Sequence, residues 1–253
     1  MVSLTIHIKP FENIEEINLA LFSKDNPIAD YELPSGLFAK EEGNLFFKIL
    51  LNNEVRHWEY LLNNRLLALN LDFAYSMHYF EKGIPDDEWC MSPGFKGQSV
   101  QYYPHFTDEH FSNLHNFSYF VDIFFLKAFT VFETLGHLLY KHYELPHDKD
   151  DWRDQISFKS AIFKLNKVNP TLHKELKEIT KSKPFSDGVS MRNNIAHNHP
   201  PYEISSGVKI KENGGSFGIG DYTTSKEIRR VMIGLLESIK QTFEVLDKNL
   251  TAV

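Results

Sequence analysis

Two long runs that proline never enters, 44–80 and 107–143, constrain this chain more than anything else in it. In the first, Leu50, Leu51, Val55, Trp58, Leu62, Leu66 and Leu69 recur at helical spacing with no glycine between them. In the second, Phe117, Phe120, Val121, Phe124, Phe125, Phe129, Phe132, Leu135 and Leu138 form a stripe broad enough for burial on more than one side. Thr107 or Asp108 offers that run an N-cap. A membrane-spanning reading of the second run fails, because Asp122, Lys127 and Glu133 interrupt a stretch that must hold about 20 largely apolar residues. Two such helices need each other's apolar faces, which predicts an all-α bundle.

The remaining segments fit around that pair. Residues 1–42 alternate weakly at Val2, Leu4, Ile6 and Ile8 and then break at Pro10, Pro27, Pro34 and Gly36, predicting a short strand followed by an irregular N-terminal arm. Gly83, Pro85, Pro93, Gly94, Gly97 and Pro104 mark a long connection. Shorter helices are expected over 157–167 and 170–181, the latter opening on Asn169 as cap and Pro170 in the first turn. Another begins near Pro184 and stops before Pro200 and Pro201. Over 202–222 the period changes to alternation, with Asn213, Gly214 and Gly215 between the last two runs, which predicts a small β-hairpin inserted before the last helix. That helix opens on a capping-box pair, Thr224 and Glu227, and carries Ile228, Val231, Met232, Leu235, Ile239, Phe243 and Leu246 on one face. The expected organisation is an arm, 1–42, and a helical domain, 43–253.

Composition narrows the function classes. With 42% hydrophobic and 24% charged residues the chain folds. Its net charge of -7 argues against a DNA-coating protein and leaves room for a local basic site. A single cysteine, Cys90, excludes an intrachain disulfide and every multi-cysteine metal site. Residues 1–11 lack an apolar signal-peptide core, so a cytoplasmic protein is expected, with no membrane partner.

The stretch Ser190-Met191-Arg192-Asn193-Asn194-Ile195-Ala196-His197-Asn198-His199-Pro200 places a fixed cation, a titratable base and amides at one helix end. A guanidinium is a planar fork suited to two phosphate oxygens. An imidazole both accepts and donates a proton near neutrality. On an ideal helix residues five apart lie about 140° apart, so Arg192 and His197 are not expected to share a face without distortion of the last turn; two copies facing each other would bring the groups into one cleft. A plainer reading stays open beside the chemical one, in which Arg192 pairs with a carboxylate and His197 complements a helix C-terminus.

Arg192, Asn193, Ile195 and His197, read with the surrounding bundle pattern, resemble the HEPN superfamily, many of whose bacterial members carry an Arg-Asn-x-Ile-x-His type motif. The resemblance implies a helical bundle that dimerises with the motif near the interface. It also implies metal-independent RNA cleavage without a cofactor, or RNA, nucleotide or partner binding without chemistry. Cleavage by attack of the substrate's own 2′-hydroxyl would give His197 the acid–base role, Arg192 the phosphate and Asn193 an orienting role. Defence or toxin–antitoxin settings, with an antitoxin or partner enzyme, belong to the same implication.

Further residues join the candidate site. Glu133 lies mid-helix among apolar neighbours and either steers Arg192 or faces solvent. Asn194 and His199 flank the motif as candidate substrate contacts. Lys164, Lys167, Lys174, Lys177, Lys181 and Lys183 form a basic segment that either guides an RNA backbone or is simply a solvated face. His105, His110 and His115, like His137, His142 and His147, repeat every five residues, the wrong interval for a metal site on one helix face. Asp148, Asp150, Asp151 and Asp154 lack a calcium-loop pattern, and no metal ligand set is expected.

Overall fold

The computed structural model describes residues 5–31, 34, 36–39, 44–211 and 214–250. Among these residues it is an all-α bundle of six α-helices: α1 (Leu45–Glu81), α2 (Asp108–His142), α3 (Phe158–Val168), α4 (Pro170–Lys181), α5 (Lys183–His197) and α6 (Ser225–Leu250). Two small antiparallel ribbons interrupt it, β1 (Cys90–Met91) with β2 (Gln101–Tyr102) and β3 (Val208–Lys211) with β4 (Gly214–Phe217). The second ribbon is the expected hairpin, confined to 208–217. Asn213 of its turn lies outside the described residues.

The two long runs form an antiparallel pair, fixed by side chains whose numbers rise on α1 as they fall on α2. Lys141 reaches Glu54, Arg65 donates to the Thr130 carbonyl at 2.7 Å, Lys127 meets Asp72 at 2.7 Å, and Asn113 donates to the Gly83 carbonyl at 3.0 Å. Between them lies an aromatic core in which Phe73, Phe117, Phe124, Phe125 and Phe132 are buried. By length and composition α2 could cross a membrane, but 61% of its most apolar window is buried within the fold, the pattern of a core helix. The three charges that interrupt the run have internal partners: Asp122 accepts from the Tyr202 hydroxyl at 2.6 Å, Lys127 meets Asp72, and Glu133 accepts from the Phe158 backbone N–H at 3.3 Å.

Caps set the helix ends. Thr107 caps α2 with a reciprocal bond from His110, and Asn169 accepts from the Leu172 N–H with Pro170 in the first turn of α4. The predicted capping box of α6 is only half made. Thr224 accepts from the Glu227 N–H, but the Glu227 carboxylate turns to Arg230 because a guanidinium one turn away offers two charge-assisted bonds. The buried Asp86 supplements this cap, accepting from the Ser225 N–H at 2.6 Å, the Ser225 hydroxyl at 2.8 Å and the Tyr222 hydroxyl at 2.8 Å.

The arm differs from expectation. Val2 and Leu4 lie outside the described residues, and Ile6 and Ile8 are exposed on non-strand chain. Among the described residues their alternation has no strand partner; α2 side chains take backbone groups of this segment instead. Ser112 accepts from the Lys9 N–H, and Asn116 accepts from the Phe11 N–H while donating to the Lys9 carbonyl. Phe22, within the second of two 3-10 turns, and Ile28, Leu37 and Phe38 after it are buried in the bundle core. The arm therefore completes the core as well as decorating it.

Candidate functional site

Ser182 accepts from the Phe185 N–H to start α5, and Pro184 sits in its first turn. The inward face of α5 packs Gly188 and Met191 into the bundle, which leaves Arg192, Asn193, Asn194 and Ile195 half-buried and the turn from Ala196 to His199 exposed. The helix ends at His197, with the Asn198 N–H bonded to the Asn194 carbonyl.

Arg192 Nη1 lies 3.2 Å from His197 Nε2 and donates to Asn193 Oδ1 at 3.0 Å. The expectation that the two residues would not share a face without distortion of the last turn did not bar a contact between their side chains. It counted Cα directions, whereas the guanidinium sits on a stem long enough to swing across the last turn. The single chain thus brings together Arg192, Asn193 and His197. Among the described residues no carboxylate pairs with Arg192; its partners there are an amide and an imidazole. A guanidinium has no lone pair to offer, so Nε2 is the acceptor in this contact. The Nε and Nη2 groups of Arg192 donate to nothing among the described residues, which leaves the bidentate edge of the fork open.

Arg192 and Asn193 wall a groove of about 280 Å³ together with Val189 of α5 and Leu126, Phe129, Thr130 and Glu133 of α2. Glu133 shares this groove without a direct ion pair to Arg192, and its Oε2 accepts from the Phe158 N–H at the start of α3. Burial pushes its carboxyl above the ordinary carboxylate range, opposed by the Phe158 N–H and by the nearby charges of Arg192 and Arg65. The native state therefore takes up a proton in a pH window where the unfolded chain does not. Stability rises as pH falls into that window and is lost as pH rises through it. Asp72 and Asp122 are raised by burial in the same direction. Glu133→Gln is expected to flatten part of this dependence, read as the urea midpoint against pH from neutrality downward; equal slopes in the two proteins would contradict it.

The other predicted site residues are placed less centrally. Asn194 Oδ1 accepts from the Asn198 amide at 3.3 Å and so helps to close the helix end. His199 is exposed and its Nδ1 faces the Pro200 carbonyl. Lys181 is exposed at the end of α4. Lys183 is tied to Asp187, which also binds Arg230. Lys164 is likewise committed, to Asp154 at 2.6 Å. The periodic histidines are scattered among separate partners: His105 on Glu88, His110 on the Thr107 cap, and His137 stacked on Trp58 at 4.1 Å.

Sequence reasoning missed Arg65. It donates to the Thr130 carbonyl and the Thr134 hydroxyl and lies close enough to Glu133 for each to influence the other's titration. Its signal was a cation set between Leu62 and Leu66 in an otherwise apolar stripe.

A family model described as Cthe2314-like HEPN matches residues 58–247, which contain every helix from the second half of α1 through most of α6. No curated protein and no solved structure matches the chain. With its long antiparallel helix pair, its motif at the end of α5 and a family match over more than half its length, the chain belongs to the HEPN superfamily.

Proposed function

We propose that this HEPN protein is a metal-independent endoribonuclease. The observation that carries the reading is the Arg192–His197 contact at an exposed helix end, with the open edge of the guanidinium beside a groove. In the resting site the Nε2 lone pair of His197 is occupied by an Arg192 N–H. A phosphodiester that takes the guanidinium as its counter-ion draws that N–H toward its oxygens and frees Nε2 for the neighbouring 2′-hydroxyl. His197 then accepts the hydroxyl proton as the 2′-oxygen bonds to phosphorus. The bond to the 5′-oxygen breaks, and the leaving oxygen takes the proton back from the His197 imidazolium through water, which restores the base. Charge growing on the non-bridging oxygens is met by Arg192, and Asn193 holds the guanidinium from behind.

The substrate supplies the nucleophile, so the protein needs only a base and a cation. A homodimer with the motif near its interface, a cytoplasmic setting and an antitoxin or partner enzyme complete the proposal, on the strength of family resemblance. The test is incubation of purified protein with total RNA and tRNA in EDTA. Cleavage that leaves 2′,3′-cyclic phosphate ends is expected; intact RNA, or activity restored only by added divalent metal, would overturn the reading. HEPN domains also serve as nucleotide-binding modules, and retention of labelled RNA without cleavage would assign this chain to that class.

A further inference from the structure

The surface of α3 and α4 departs from the acidic balance of the chain. Helix α3 buries Phe158, Ala161, Ile162 and Leu165 and turns Lys159, Phe163, Asn166 and Lys167 outward. Lys159, Phe163 and Lys167 are four residues apart and therefore lie in one row, about 12 Å from end to end. Phe163 is 77% exposed, an unusual place for an aromatic ring in a fold that buries so many others. On α4, joined to α3 through Asn169 alone, Lys174, Lys177 and Lys181 are exposed at helical spacing. None of these five lysines has an ion pair or side-chain hydrogen bond among the described residues, whereas Lys164, Lys183 and Lys248 are each held by a carboxylate. Of the acidic residues on α4, Glu175 is spent on Lys248 and Asn249, and Glu178 is exposed.

Five uncompensated cations on a chain of net charge -7 call for a polyanion. A bare phenyl ring between two of them calls for a polyanion that carries flat apolar faces. Single-stranded nucleic acid has both, with phosphates for the lysines and a base to stack on the ring, a pairing that tolerates any sequence. A duplex hides its bases, and an acidic peptide offers no stacking partner. The row also begins beside the groove, because Phe158, next to Lys159, donates its backbone N–H to Glu133 on the groove wall.

We infer that the outward face of α3 and α4 is a second, non-catalytic RNA-binding surface, in which Phe163 stacks on an unpaired base and Lys159, Lys167 and the α4 lysines bind the adjoining phosphates. The inference rests on the RNA reading above and adds to it a substrate that is single-stranded where it crosses α3.

The test is fluorescence anisotropy with a fluorescein-labelled, mixed-sequence, single-stranded RNA and full-length protein carrying His197→Ala, so that the probe stays intact. In that background Phe163→Ala is expected to weaken binding about fivefold or more. Lys159→Ser with Lys167→Ser is expected to reduce the salt slope by about 0.7 for each lysine removed. All three side chains are exposed, so circular dichroism should show the fold unchanged. Affinity within twofold in every surface variant, with loss only on Arg192→Ala, would overturn the inference while leaving the proposed function intact. Lysine dependence without Phe163 dependence, together with competition by polyglutamate, would assign the face to an acidic protein and overturn it equally. Surface-dependent RNA binding by a wild type that cleaves no RNA would sustain the inference and remove the endoribonuclease reading.

Discussion

His197→Ala is expected to lower the rate of chelator-resistant RNA cleavage by about a thousandfold, within the range for loss of a positioned acid–base group. Arg192→Ala is expected to cost about a hundredfold to a thousandfold, the range for removing one donor from a developing oxyanion. The two changes should not multiply. Once the base is gone, a stabilised phosphate has no proton acceptor to exploit, so the double variant should fall close to His197→Ala alone. Arg192→Lys separates charge from shape. It keeps a cation but not the fork whose Nη1 holds His197 and whose outer edge is free, and it should recover only a small part of the loss. Stability tells catalysis apart from the plainer reading, in which the pair only closes a helix end. His197 is exposed, so its alanine should shift unfolding by about 0.5 kcal/mol or less, and Arg192→Ala, at a half-buried position, by about 1 kcal/mol. A large stability loss with cleavage unchanged would make Arg192 and His197 structural.

The fold was legible wherever the residues spoke for themselves. The two long proline-free runs, the Asn169–Pro170 start of α4 and the paired strands of the hairpin before α6 appear where their patterns place them, because periodicity and caps are local physics. The arm was not legible in this way. Alternation at Ile6 and Ile8 says nothing about whether a strand partner exists, and the groups that satisfy this backbone, Ser112 and Asn116, lie more than a hundred residues away. The site followed the same division. Arg192, Asn193 and His197 were readable as types at a spacing, but their contact was not, because it depends on the length and rotamer of the arginine stem and not on helical angle. The basic segment was visible as composition. Only the structure divides it into lysines already engaged, such as Lys164 and Lys183, and lysines left open.

Gly136→Ala is expected to destabilise the protein by about 2 kcal/mol or more, although alanine is the better helix former by about 1 kcal/mol. At Gly136 the backbone at the start of α3 comes directly against α2. A Cβ there would stand 2.5 Å from the Phe158 nitrogen, 2.6 Å from the Ser157 carbonyl carbon and 2.9 Å from the Phe158 Cα. These are backbone atoms at a capped helix start, where Ser157 and Ser160 bond reciprocally, so no rotamer change relieves the overlap and α3 must move as a unit. Two other helical glycines provide the comparison. At Gly188 the new methyl meets the side-chain end of Leu235 at 2.8 Å, and at Gly234 it meets the Pro184 ring at 3.2 Å, so both can be relieved by small local shifts. The expected order of melting temperatures is wild type and Gly234→Ala together, then Gly188→Ala, then Gly136→Ala lowest by about 4–8 °C. Moving α3 also draws the Phe158 N–H from Glu133 and shifts the groove wall that faces Arg192. Gly136→Ala should therefore impair RNA cleavage at temperatures where it remains folded, while Gly234→Ala leaves cleavage unchanged. Equal melting of all three glycine variants would show that the close approach of α3 to α2 has no such consequence.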